Sequence, residues 1–129
     1  MSAEGKTGNG RLYSKLDPHI ESIISNADYC QITGAYSLAL KLYEEIIELD
    51  PFNCRALLNK ANVLDHMGEY TEAIRWYDTT LIHDPYNAEA WYNKGITLRK
   101  TGAHEEGLSC IRKGISLAMG APSPRFTVE

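Results

Sequence analysis

Apolar residues in this chain recur with a stride of 34 residues. "IISNADYCQITG" (Ile23 to Gly34), "LLNKANVLDHMG" (Leu57 to Gly68) and "WYNKGITLRKTG" (Trp91 to Gly102) are the same pattern written three times. Lines of 34 residues beginning at Ile20, Cys54 and Ala88 fall into columns. Large apolar residues align at Ile23, Leu57, Trp91 and at Cys30, Leu64, Leu98. Small ones align at Ala27, Ala61, Gly95 and at Ala39, Ala73, Gly107. Glycine aligns at Gly34, Gly68, Gly102. Within a line the apolar steps are of three and four, as one face of a 3.6-residue helix requires.

Each line therefore predicts two helices of three to four turns joined at a glycine, which can take the positive φ of a helix C-terminus. The second helix should stop at Asp-Pro in "ELDPFN" and "IHDPYN", since proline cannot extend the preceding helix. Asn53 and Asn87 are placed to cap the next line, and Asp17-Pro18 to cap the first. A lone helical hairpin leaves its apolar stripe in water, so hairpins must stack. The small columns mark where helices cross.

This pattern resembles the tetratricopeptide repeat family. The period, the run "WYNKGITL", the stretch "GEYTEAIRWYDTTL" and the terminal Asp-Pro carry the resemblance. It implies an all-α fold, a right-handed α-solenoid of three stacked hairpins with repeats at 20–53, 54–87 and 88–121. The repeat domain should span 17–119, between a flexible segment at 1–16 and a tail at 120–129. Leu12, Tyr13 and Leu16 could cover the first hairpin. The third line departs from the pattern at Gly107, Gly114 and Met119, so its last helix is expected to be the least stable. "GAPSPRFTVE" is too short and proline-rich to be a capping helix.

In the family the first helices line a concave face. The resemblance places Ile24 and Asp28 there from the first line, and Arg55, Leu58, Asn59, Asn62 and His66 from the second. Tyr92, Asn93, Ile96 and Arg99 follow from the third. Ile24, Leu58 and Tyr92 are spaced by 34 and predict an apolar row extended by Ile96, the alternative being that Leu12, Tyr13 and Leu16 fold over it or that part of it is ordinary inter-helix packing. Asn59, Asn62 and Asn93 beside it could hold a peptide backbone, because an amide both donates and accepts. Some family members clamp the terminal carboxylate of chaperones. Here the clamp positions hold Ile24, Asp28, Asn59, Glu89 and Asn93, of which only Asn59 agrees, so no such clamp is expected.

Composition narrows the classes. A net charge of −4 argues against nucleic acid. No apolar run reaches membrane length, and the N-terminal residues lack a secretory stretch, so a cytoplasmic protein is expected. Cys30, Cys54 and Cys110 form no CxxC and read as packed thiols. "EGKTG" lacks the upstream glycine of a phosphate loop, and "HEE" at His104 lacks the second histidine of a zinc helix. Tyr36, Tyr43, Tyr70 and Tyr77 lie at core spacing, and the glutamate pairs read as solvated. No catalytic constellation, metal site or cofactor motif is legible. The expected function is a non-catalytic scaffold that binds a partner peptide or helix in the groove. The alternative is a homodimer formed through the uncapped third repeat, with Leu108, Ile111, Ile115 and Leu117 at the contact.

Overall fold

The computed structural model describes residues 17–120. The expectations for 1–16, including the covering role of Leu12, Tyr13 and Leu16, and for the tail from 121 onward lie outside the described residues. Within them stand six helices and no strand: α1 (Pro18–Ile32), α2 (Tyr36–Leu49), α3 (Cys54–His66), α4 (Tyr70–His83), α5 (Ala88–Lys100) and α6 (His104–Ala118). Each packs on the next in sequence, and α3 also touches α5. This is an all-α helical-repeat solenoid.

The expected starts and stops hold. The Asp17 side chain accepts from the His19 amide with Pro18 in the first turn. Asn53 and Asn87 cap α3 and α5 by accepting from the Ala56 and Ala90 amides at 3.0 and 2.9 Å. The same asparagines reach backward. Their side-chain amides donate to Asp50 and Asp84, and their backbone N–H groups donate to the Asp50 and Asp84 carbonyls. One Asp-Pro-x-Asn segment thus ends a second helix and begins the next first helix. Within each hairpin, Gly68 and its equivalents take φ of 82–96°. That conformation lets the Glu69 amide fold back onto the Leu64 carbonyl at 2.9 Å, and the same bond closes the other two hairpins.

The core runs along the stack as two buried clusters, with half-buried Leu40 packed against both. Ala27, Ala39, Ala61 and Ala73 have no exposed surface, so the helices of the first two hairpins cross on methyl groups. In the third hairpin the crossing residues are Gly95 and Gly107, and α5 and α6 share the most extensive contact of any helix pair among the described residues. The sequence pattern marks Gly107 and Gly114 as weak points of the last helix, but both also serve the packing. A Cβ on Gly107 would stand 2.6 Å from the Gly95 carbonyl oxygen, and one on Gly114 would stand 2.8 Å from the Ala88 carbonyl oxygen. Their absent side chains are what allow the approach.

Two ion pairs repeat between hairpins. Lys60 of α3 meets Glu44 of α2 at 3.4 Å, and Lys94 of α5 meets Asp78 of α4 at 2.6 Å. Both lysines are largely buried, and Lys60 also lies 3.8 Å from the Trp76 ring centroid. Glu44 is therefore a joint between repeats and not merely a solvated residue.

Candidate interaction surface

The first helices α1, α3 and α5 lie side by side and present one inner face. The apolar row expected there does not form. Ile24 is 2% exposed and Leu58 6%, while Tyr92 is 41% exposed. Ile24 belongs to a buried cluster that includes Ala56 and Val63 of α3, and Leu58 to one that includes Ala90 of α5. Each fills the seam between its own first helix and the following one. Tyr92 is open because no first helix follows α5 among the described residues.

What the inner face carries is a polar ladder. Asp28 is its first node, accepting from the Tyr43 hydroxyl, the Arg55 guanidinium and, more loosely at 3.4 Å, the Asn59 amide. Tyr43 also donates to Gln31 at 3.0 Å. Asn62 is the second node. Its side-chain oxygen accepts from the Tyr77 hydroxyl at 2.7 Å and from Asn93 at 3.0 Å, and its amide donates to Asn59 at 3.4 Å. Asp65 is the third, accepting from Thr97 at 3.1 Å and from Lys100 at 3.1 Å. Asn59, Asn62 and Asn93 are thus brought together as expected, but they spend part of their bonding capacity on one another. No buried side-chain polar atom among the described residues lacks a partner, as buried polar groups require.

The ladder fixes protonation as well as position. Burial first, and then the adjoining Asp28 carboxylate, push the Tyr43 hydroxyl above the usual phenol range. Burial and the charge of Asp65 push Tyr77 the same way. Both phenols stay neutral donors. Cys110 is pushed up by burial, and no disulfide joins the three cysteines. Sequence reasoning placed Tyr43 and Tyr77 in the core but missed their hydroxyls as supports of the inner face.

His66 lies at the edge of this face. Its ring stacks on Tyr36 of the preceding hairpin, centroids 5.3 Å apart, and its Nδ1–H donates to the Asn62 carbonyl at 2.8 Å. One repeat later Lys100 takes the same post over Tyr70, 5.4 Å from the ring centroid. The open end breaks the series. Ile96, Arg99, Lys100 and His104 line a hollow of about 290 Å³ there. Of the expected site residues, Arg55, His66, Tyr92 and Arg99 are exposed, Asp28, Asn59, Asn62, Asn93 and Ile96 are half-buried, and Ile24 and Leu58 are core. No cluster of His, Cys, Asp and Glu suited to a metal occurs among the described residues, and no described helix is long and apolar enough to cross a membrane.

Comparisons with known proteins agree with this architecture. The structure is similar to the type III secretion translocator chaperone SycD of Yersinia enterocolitica, solved in an alternative dimer, at 21% identity and a TM-score of 0.78, covering 87% of this chain and 85% of that one. It is similar to the Sgt2 TPR domain of Aspergillus fumigatus at 22% identity and a TM-score of 0.76, covering 81% and 70%. It matches the crystal structure of MamA at 20% identity and a TM-score of 0.72, over 78% of this chain, and spans 59% of that protein's length. No curated protein sequence matches the chain. The tetratricopeptide repeat model matches twice in succession, over residues 42–75 and 76–108, which is more than half of the sequence. The chain belongs to the tetratricopeptide repeat family.

Proposed function

We propose that the chain is a non-catalytic protein-interaction module that holds a peptide or helix of a partner protein along its inner face. The observation that carries this reading is the pairing of a rigid polar ladder with an apolar opening at its third-hairpin end. Hydrogen-bonded side chains such as Asn62 and Asn93 are already ordered, so a bound segment loses less free energy to side-chain immobilisation. Tyr92 and Ile96, one helical turn apart, supply the apolar anchor beside the hollow, and Arg99 and Lys100 supply charge. Asp28 at the other end disfavours a terminal carboxylate, in keeping with the missing clamp. Membership of the repeat family and the similarity to SycD, a secretion chaperone, support the general class.

Selection of binding peptides from a random library tests the reading. Selected peptides should lose at least tenfold in affinity on Tyr92→Ala or Ile96→Ser, with helicity preserved. Equal binding to the variants would overturn it.

A second reading is self-association through the third hairpin. It is favoured by the exposure of Leu108 and Ile115, whose equivalents Ile74 and Leu81 are half-buried within the stack. Sedimentation at high concentration decides, and a strict monomer removes it.

A further inference from the structure

The open end of the third hairpin differs in charge from the internal interfaces it would otherwise repeat. At each internal joint the earlier hairpin offers acceptors and the next first helix brings donors. Glu44 and Asp78 accept from Lys60 and Lys94. Asp65 accepts from Lys100 and Thr97. The residues 34 further on are Arg112, where Glu44 and Asp78 stand, and Arg99, where Gln31 and Asp65 stand. Both arginines are exposed. Glu105 does not offset them on the docking face, because it holds the place of Ser37 and Thr71, which stay exposed even in the internal hairpins.

The apolar part of the joint is retained. Tyr92 is 41% exposed, Leu108 39% and Ile115 46%. Tyr92 stands in the column of Ile24 and Leu58, which are buried by the next first helix. The end is thus shaped for another helix, but it repels one built like α3 or α5, whose lysines would meet arginines.

We propose that this end docks an acidic amphipathic helix of a partner protein, seated where a fourth first helix would lie, with carboxylates facing Arg99 and Arg112. The proposal rests on the interaction reading above and specifies the partner's chemistry. Complementary charge across such a rim selects the partner and excludes like-charged helices. A second copy fits less well than an acidic helix, since α1 would bring the neutral Asn26, and no carboxylate, to the place that faces Arg112.

The probe is a synthetic, staple-stabilised helix with the sequence of residues 86–102, made in two forms. One keeps Lys94 and Lys100; the other carries Lys94→Glu and Lys100→Glu. Fluorescence anisotropy against the full chain should show the acidic form binding about tenfold more tightly, as two rim ion pairs allow. Arg99→Glu with Arg112→Glu should reverse the preference, and Ile96→Ser should weaken both forms. Circular dichroism checks that the variants fold. Binding that depends on Ile96 but ignores charge would overturn the acidic helix while leaving the interaction reading. Failure of both forms to bind would also overturn it. So would a dimer dispersed by Arg112→Glu, because the occupant would then be a second copy.

Discussion

A methyl group added to Gly95 would stand 2.5 Å from the carbonyl oxygen of Gly107, and one added to Gly107 would stand 2.6 Å from the carbonyl oxygen of Gly95. The obstacle on each side is backbone, which cannot swing aside as a flexible side chain can. Gly107→Ala should therefore destabilise the fold, although alanine is the better helix former by about 1 kcal/mol. The overpacking term is about 1–3 kcal/mol, so a net loss of about 1–2 kcal/mol is expected. Urea unfolding checks it, and an unchanged or raised midpoint would show that the crossing relaxes.

Tyr77→Phe removes one donor from Asn62, which still accepts from Asn93. A loss of about 1 kcal/mol is expected. Tyr43→Phe removes a donor from a charged acceptor and should cost about 1.5 kcal/mol, with Arg55 and Asn59 still attached to Asp28. Chemical denaturation of the two single variants would show the ordering. Equal and negligible losses would mean that the hydroxyls do not support the ladder.

The same tyrosines predict a response to alkali. Their folded-state ionisation lies above that of an unfolded phenol, near 10. Stability from these groups is complete below pH 10 and is lost as pH rises further, because only the unfolded state releases the proton. Each contributes a slope of up to about 1.4 kcal/mol per pH unit. Absorbance at 295 nm should show two tyrosines that ionise only with unfolding, and the Tyr43→Phe, Tyr77→Phe double variant should lack that component.

Asp78→Asn leaves Lys94 largely buried without its carboxylate. A loss of about 0.5–1 kcal/mol is expected at low salt, shrinking as ionic strength rises. Thermal melts at two salt concentrations give the comparison, and salt-independent loss would indicate packing instead of charge.

Leu58→Ala should cost about 2–5 kcal/mol, the range for emptying a core leucine site. It would act on folding, in contrast to the half-covered Tyr92, whose change to alanine should act mainly on binding and lower the melting curve far less. Melting curves of both variants separate the two roles.

Helix positions, caps, stops and the glycine turns were legible because each depends on local chemistry at a fixed spacing. Asn53 and Asn87 announce themselves beside Asp-Pro. For Ile24 and Leu58 the pattern left groove and inter-helix packing both open, because a residue on the inner side of one helix is buried or exposed according to what its neighbour brings alongside. Ala56 and Ala90, small and in register, were the overlooked signal. The ladder had a signal too. Tyr43 accompanies Asp28 and Tyr77 accompanies Asn62, while the third line replaces both members with Ile111 and Ile96. Hydroxyl and acceptor change together, as a bonded pair should.

The Asp-Pro-x-Asn segments have a mechanical meaning. A joint that clasps the outgoing and incoming helices with one asparagine has no slack in which to pivot, so adjacent hairpins keep a set angle. Tension applied at one end would travel along the array as through a stiff strut. Yielding would come by peeling a whole hairpin off its neighbour before any elbow could bend.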